Sequence, residues 1–326
     1  MTPGKTHEAL QTFAGVQIAS VQYQPTERPI EDRFSVTLSS DGARLLLGVY
    51  DGHGGAATAE HISKILPPAL LACPPGEHTH VFEATDKSML DAFKADHTPF
   101  RLRLQSPDWM YNAQVLRSGC TALILDIDIP GMKVNYANAG DCRSLVFDSR
   151  ISEDADPLQQ TADLNAKSQS EQERLKREHP GEELVVVSGR LFGKLMSTRG
   201  FGDGYYKLPR GVNNWQHKKH VDVLSSVDRN SGKVPLNAQY ESYFYGYRTP
   251  PYLVATPDVG VMRLSRDSVI VCGSDGLFDL VTSEVVAQTV RHGIRDGVEN
   301  LAAHLLDSVI PLGIGDDVTI LVLTFA

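Results

Sequence analysis

Apolar positions along the chain fall into short runs rich in branched residues and a few longer periodic ones. The short runs predict strands over Arg44–Tyr50 (RLLLGVY), Thr121–Ile127 (TALILDI), Lys133–Ala137 (KVNYA), Arg143–Phe147 (RSLVF), Ser268–Cys272 (SVIVC) and Val318–Phe325 (VTILVLTF). Turn signals separate them at Asp41-Gly42, Pro130-Gly131, Gly140-Asp141 and Asp275-Gly276. Helices are predicted over Ala57–Leu71, Val81–Phe93, Ser168–Glu178, Ser283–Arg291 and Val298–Ile310. In the last of these, Val298, Leu301, Ala302, Leu305 and Val309 share one face at helical spacing. Strands and helices come in groups, not in strict alternation. That order favours an α+β sandwich over a doubly wound parallel sheet.

Two stretches, 74–116 and 204–248, read as loops or insertions, the second with a local basic stretch, YYKLPRGVNNWQHKKH. Neither has a linker composition, so a single domain over 1–326 is expected. The chain has 326 residues, 41% hydrophobic and 22% charged, which excludes collagen-like, mucin-like and wholly disordered chains. Acidic residues number 40 and basic ones 31, a net charge of −9, which argues against a nucleic-acid partner. The same balance leaves room for an acidic site filled by metal ions. Cys73, Cys120, Cys142 and Cys272 form no C-x-x-C pair and read as free thiols, most of them buried. No run approaches the length of a membrane span. The N-terminal residues lack the pattern of a signal peptide and the arginines of a transit peptide. A reducing, cytoplasmic setting is therefore expected, the mitochondrion being the alternative for a chain processed from a longer precursor. A monomer is expected.

Familiar nucleotide and hydrolase motifs fail. Gly189–Leu195 (GRLFGKL) is one residue too short for a phosphate loop and lacks Ser or Thr after the lysine. The glycines of DGHGG are not spaced as G-x-G-x-x-G, and no G-x-S-x-G elbow occurs. What remains is a set of carboxylates at strand ends: Glu31-Asp32, Asp51, Asp141, Asp275 with Asp279, and Asp316-Asp317. Any one of them has a plain reading as a turn acid. Together they would repel and raise one another's pKa, a conflict that divalent cations remove. An all-oxygen donor set favours Mg²⁺ or Mn²⁺ over zinc. His53, two residues after Asp51 in a glycine-rich loop, is a candidate acid or base. The pair His217 and His220 (HKKH) sits in a basic segment that reads as exposed and not as a metal site.

The ordered blocks IEDRFSV, VYDGHGG, SGCTALI, NAGDCRS, STRGFGD, ATPDV, GSDGLFD and GDDVTI resemble the metal-dependent protein phosphatase 2C (PPM) family, from about Pro29 to Phe325. The segments LNAKSQSEQERLKREHP, RLFGKLMSTRGFGD and RTPPYL are similar to the pyruvate dehydrogenase phosphatase subgroup. The resemblance implies a four-layer α/β/β/α sandwich of two antiparallel sheets flanked by helix pairs. It implies two Mg²⁺ or Mn²⁺ ions in a cleft. Asp51 bridges them, the Gly52 carbonyl binds one, and Asp275 and Asp316 hold the other, with Glu31 and Asp32 as direct or water-mediated ligands. Asp316 is preferred over Asp317 because it starts the D-x-x-[ST] block. Asp141 suits a third, weaker ion position, with Thr121 near it. The implied reaction is hydrolysis of phosphoserine or phosphothreonine in a protein, a water activated by both cations attacking in line and His53 protonating the leaving oxygen. The family often has a phosphate-binding arginine four residues before the Glu of the ED pair. Here Glu27 holds that position, and Arg28, one residue later, is the candidate phosphate-binding residue. Stretch 204–248 is expected to form a flap that helps to choose substrates. Two rival readings are an inactive member that serves as a scaffold and a metal-dependent phosphatase of a small molecule.

Overall fold

A computed structural model describes residues 4–13, 15–97, 106–150, 158–227 and 244–325. The strands are β1 (Gly4–Phe13), β2 (Val16–Gln24), β3 (Arg33–Leu38), β4 (Arg44–His53), β5 (Gly119–Asp128), β6 (Lys133–Ala139), β7 (Arg143–Asp148), β8 (Gln159–Gln160), β9 (Val186–Val187), β10 (Arg190–Leu191), β11 (Phe201–Gly202), β12 (Asp258–Arg263), β13 (Ser268–Gly273) and β14 (Val318–Phe325). The helices are α1 (Ala57–Leu71), α2 (His78–Asp96), α3 (Trp109–Arg117), α4 (Gln169–Glu178), the single turn α5 (Gly204–Lys207), α6 (Trp215–Ser226), the single turn α7 (Asp275–Phe278), α8 (Ser283–Arg295) and α9 (Leu301–Val309). One sheet has the order β1-β2-β14-β13-β7-β8 and the other β12-β6-β5-β4-β3, with β11 beside β5. The pairings in both are antiparallel.

The central strands alternate between two buried faces, which is why they read as continuous apolar runs. On β4, Leu45, Leu47 and Val49 point between the sheets, where they meet Leu123, Leu321 and Leu323. Leu46 and Tyr50 point the other way, onto Ile62 and Leu66 of α1 and Phe82 of α2. On β14, Ile320 and Val322 pack under Val286 and Val290 of α8 and Leu305 of α9. Helix, sheet, sheet and helix therefore stack as four layers. Local chemistry places the helix starts: Thr282 accepts from the Val285 amide at 3.5 Å, and Asn300 accepts from the Ala303 amide at 3.0 Å.

Several elements depart from the pattern reading. The stretches 74–116 and 204–248 hold helices α2, α3, α5 and α6; their parts 98–105 and 228–243 lie outside the described residues. The buried face of α2 carries Asp86 among Phe82, Met89 and Phe93, and that of α6 carries His217 and His220 beside Val221 and Leu224. A polar residue on the inner face interrupts the apolar period. The HKKH histidines are thus buried, not exposed. Burial pushes both imidazoles down to about 4. His217 meets the Tyr205 carbonyl through Nε2 at 2.7 Å and stacks on Tyr247 with ring centres 3.9 Å apart. Strands β1 and β2 also escape the pattern, because buried Ser20, Gln22 and Gln24 alternate with the apolar residues of β2.

Candidate active site

Antiparallel pairing brings the acidic strand ends to one edge of the sandwich. Asp51 lies opposite Thr121 and His53 opposite Gly119, so the end of β4 meets the start of β5. Glu31 and Asp32 lead into β3, whose Arg33 faces Tyr50. β6 ends just before Gly140-Asp141, and Arg143 of β7 faces Gly273 at the end of β13. From there Ser274 opens α7, with Asp275 as its first residue. Asp316-Asp317 immediately precede β14, whose Val318 faces Tyr23 near the end of β2. Gly52 is required for this convergence: a Cβ there would collide with the Glu31 carbonyl oxygen.

The result is a set of crowded acids, Asp32 and Asp141 buried and Asp51 and Asp275 half-buried, whose pKa values are all raised. Burial raises Asp51 well above the usual carboxylate range, and the charges of Asp275, Asp32 and Asp141 add to it. Asp51 and Asp275 lie close enough for each to perturb the other. Asp275 is pushed up to about 7 by burial and by Asp141. Asp32 is pushed up to about 8 by burial, against a hydrogen bond donated by Thr319 Oγ1 at 2.8 Å. Burial also raises Asp141, against a hydrogen bond from Asn165 Nδ2 at 3.0 Å. Among the described residues, none of these four acids has a Lys or Arg ion-pair partner.

Hard-oxygen donors crowded together without a Lys or Arg partner fit a divalent cation such as Mg²⁺ or Mn²⁺. Among the described residues, no three His, Cys, Asp or Glu side chains already form a closed ion-binding group. Mg²⁺ does not need one, since it usually takes one or two carboxylates and keeps several waters. Asp316 is exposed and accepts the Asp317 amide at 2.9 Å, while Asp317 is buried and accepts the Glu31 amide at 2.6 Å and the Gln24 side chain. The open carboxylate of the pair is therefore Asp316, and Asp317 secures the loop that carries half-buried Glu31. Arg28 is exposed, in a turn closed by the Thr26 hydroxyl at 3.1 Å from its amide. Arg33 is already engaged, with Glu60 at 2.5 Å and the Asp32 carbonyl at 2.7 Å.

One partner escaped the sequence reading. His53 Nε2 lies 2.8 Å from Asp203 Oδ2, and the Asp203 side chain is only 7% exposed. Gly119 makes the meeting possible. It pairs with His53 on one side and Gly202 on the other, and a Cβ on it would collide with the side chains of His53 and Asp203. Burial would lower the His53 pKa, but the charge and hydrogen bond of Asp203 outweigh it and raise the imidazole. The available signal was Asp203 between two glycines in GFGDG, separated from His53 by 150 positions. Two buried ion clusters fix the Asp203 loop. Lys207 Nζ reaches Asp86 at 2.6 Å and the Gly200 carbonyl at 2.8 Å. Glu171 of α4 accepts from Arg199 at 2.7 Å, from Arg174 at 2.9 Å and from the Thr198 hydroxyl at 2.8 Å. On the other side, Arg117 Nη1 donates to the Gly54 carbonyl at 2.7 Å and braces the His53 loop.

Comparison with known proteins agrees with this architecture. The family model described as Protein phosphatase 2C matches residues 19–318. The human protein named [Pyruvate dehydrogenase [acetyl-transferring]]-phosphatase 2, mitochondrial, is 27% identical, over 87% of this chain and 64% of its own. Its human namesake phosphatase 1 is 30% identical, over 85% of this chain and 62% of its own. The chain thus spans somewhat under two thirds of the length of these relatives. Among solved structures, a phosphatase from a pathogenic strain of Toxoplasma gondii superposes with a TM-score of 0.65 at 15% identity, covering 99% of this chain and 96% of that one, a likeness of fold.

Proposed function

This chain belongs to the protein phosphatase 2C family, and from that premise we propose that it hydrolyses phosphoserine and phosphothreonine in protein substrates with Mg²⁺ or Mn²⁺. The observation that carries the reading is the convergence of Asp32, Asp51, Asp141 and Asp275 at one edge of the sandwich, beside the His53–Asp203 pair. Asp51, the Gly52 carbonyl, Asp275 and Asp316 would hold two ions, with Glu31 and Asp32 beside them and Asp141 at a third position. Such ions, when bound, lower the pKa of water and neutralise phosphoryl charge. The remaining work belongs to the chain. His53 gives a proton to the departing serine or threonine oxygen, and Asp203, hydrogen-bonded to Nε2, sets the direction of the ring. Arg28 stands exposed near the Glu31-Asp32 loop as a phosphate-binding residue. Residues 204–248, whose first residue directly follows Asp203, are the candidate segment for choosing among protein substrates.

The scaffold reading requires lost ligands, and every carboxylate in the proposed set is present. The test is hydrolysis of a phosphothreonine peptide and an aryl phosphate by metal-stripped protein, with Mn²⁺ and Mg²⁺ restored separately. Activity that returns with either ion and is absent from Asp51→Asn and Asp275→Asn supports the proposal. Aryl phosphate turnover without peptide turnover would favour a small-molecule phosphatase. Inactivity of folded, metal-loaded protein on both substrates would favour the scaffold. The names of the relatives favour the mitochondrion over the cytoplasm as the compartment. Cell fractionation separates them.

A further inference from the structure

Two arginines face a cavity that the proposed chemistry does not use. The cavity, about 370 Å³, is lined by Arg210, Asn214 and the run Phe244–Arg248. Phe244 and Tyr247 are buried and pack on His217, Phe244 edge-on and Tyr247 stacked, while Tyr245 projects with 74% of its surface exposed. Arg210 is held by the Asn214 side-chain oxygen through Nε, which leaves its terminal nitrogens for other partners. Among the described residues, no carboxylate forms an ion pair with Arg210 or Arg248. Two guanidinium groups on one cavity repel each other unless an anion lies between them, and a carboxylate is the anion their planar forks match.

The depression does not end there. A second cavity of about 190 Å³ shares Tyr245, Gly246 and Arg248 with the first and continues to Glu182 and Glu183. Glu182 is occupied by the hydroxyls of Tyr252, at 2.5 Å, and Thr249. The groove is therefore longer than one small anion, and basic at one end and acidic at the other. That shape and polarity suit an extended peptide. Arg210 follows Asp203 by seven positions, a separation of at most about 25 Å even for a fully extended chain. A peptide whose phosphorylated residue sits at His53 can reach the arginines within its own near sequence.

Resting on the phosphatase reading above, we propose that Arg210 and Arg248 form a docking site for an acidic side chain of the phosphoprotein substrate, several residues from the phosphorylated position. The site acts on KM, since it touches no reacting atom.

The experiment uses the full chain with Mn²⁺ and phosphothreonine peptides that carry a Glu pair at placements about three to eight residues to either side, each against its Ala-Ala counterpart. At one placement at least, the Glu pair is expected to lower KM about five- to tenfold with kcat unchanged. Arg210→Ala/Arg248→Ala is expected to abolish that preference while keeping kcat/KM for neutral peptide and aryl phosphate within about twofold. Arg248→Glu, at an exposed position, is expected to turn the preference toward a Lys pair. The proposal is overturned if neutral peptide is hydrolysed and no placement of glutamates matters, or if the preference survives in the double variant. Should no peptide be hydrolysed, the phosphatase reading fails on its own. Fluorescence anisotropy with a labelled Glu-rich peptide then judges the groove: binding lost in the double variant supports it, and absent or unaltered binding overturns it.

Discussion

Replacing Asp203 by Asn tests the His53 pair at the point where its geometry is most specific. The change keeps size and hydrogen-bonding capacity but removes the charge that faces His53 Nε2 at 2.8 Å. A hydrogen bond to a charged group is worth about 1.5–3 kcal/mol, and Asp203 is shielded from water, so solvent screening discounts it little. At about 1.4 kcal/mol per decade of rate, a loss expressed fully in the transition state is about 10- to 150-fold in kcat. That loss applies only where the leaving oxygen needs a proton. Serine and threonine alkoxides need one and a nitrophenolate scarcely does. We expect Asp203→Asn to lose one to two decades of kcat, about 10- to 150-fold, on a phosphothreonine peptide and less than about threefold on an aryl phosphate. His53→Gln should show the same split with a larger loss, about 10²–10⁴ on the peptide. In the His53→Gln background, Asp203→Asn should cost almost nothing further, since the two residues act as one unit. Steady-state kinetics on both substrates, with melting curves for each variant, read this out. Equal losses on peptide and aryl phosphate would falsify the orienting role, as would full additivity in the double variant.

Other expectations follow from the same geometry. Gly119→Ala should push His53 and Asp203 apart and reproduce the peptide-selective loss of Asp203→Asn in a protein that still binds Mn²⁺; unchanged peptide turnover would contradict the close approach. Arg28→Ala should raise KM for a phosphopeptide several-fold, and an unchanged KM removes Arg28 from the site. Burial would raise Glu171, but hydrogen bonds from Arg199 and Arg174 outweigh it and hold it down at about 2, against an ordinary 4.5. Its stabilisation is therefore complete above about pH 4.5 and lost as pH falls toward 2, on the order of 3 kcal/mol in all. Urea denaturation from pH 6 to pH 3 should show that slope, and Glu171→Gln should flatten it while lowering stability at pH 7 by about 3 kcal/mol, because two arginines lose their buried partner. A slope identical in the variant would rule out Glu171 as its source.

The sandwich was legible because its central strands are buried on both sides. Runs such as TALILDI and VTILVLTF leave no room for another reading, and β14 begins and ends where the pattern places it. What escaped were elements whose inner faces carry polar groups: Gln22 and Gln24 on β2, Asp86 on α2, His217 and His220 on α6. Each of these has its own partner in the fold, such as Lys207 for Asp86, that no local periodicity encodes. The carboxylates were visible because strand ends and turns mark them directly. Asp203 was not, because it meets His53 through β11, a two-residue strand too short to leave a pattern. The role of Gly119 as the gap between them likewise exists only once three strands lie side by side.

If the acids at the sandwich edge exist to hold divalent cations, the chain binds them whether or not it turns over a substrate. Calorimetric titration of metal-stripped protein with Mn²⁺ tests it without reference to activity. Saturable binding by the unaltered chain is expected, with a rise in melting temperature, and loss of both in Asp51→Asn and Asp275→Asn. Folded protein that binds no Mn²⁺, or binding undiminished in both variants, would contradict it.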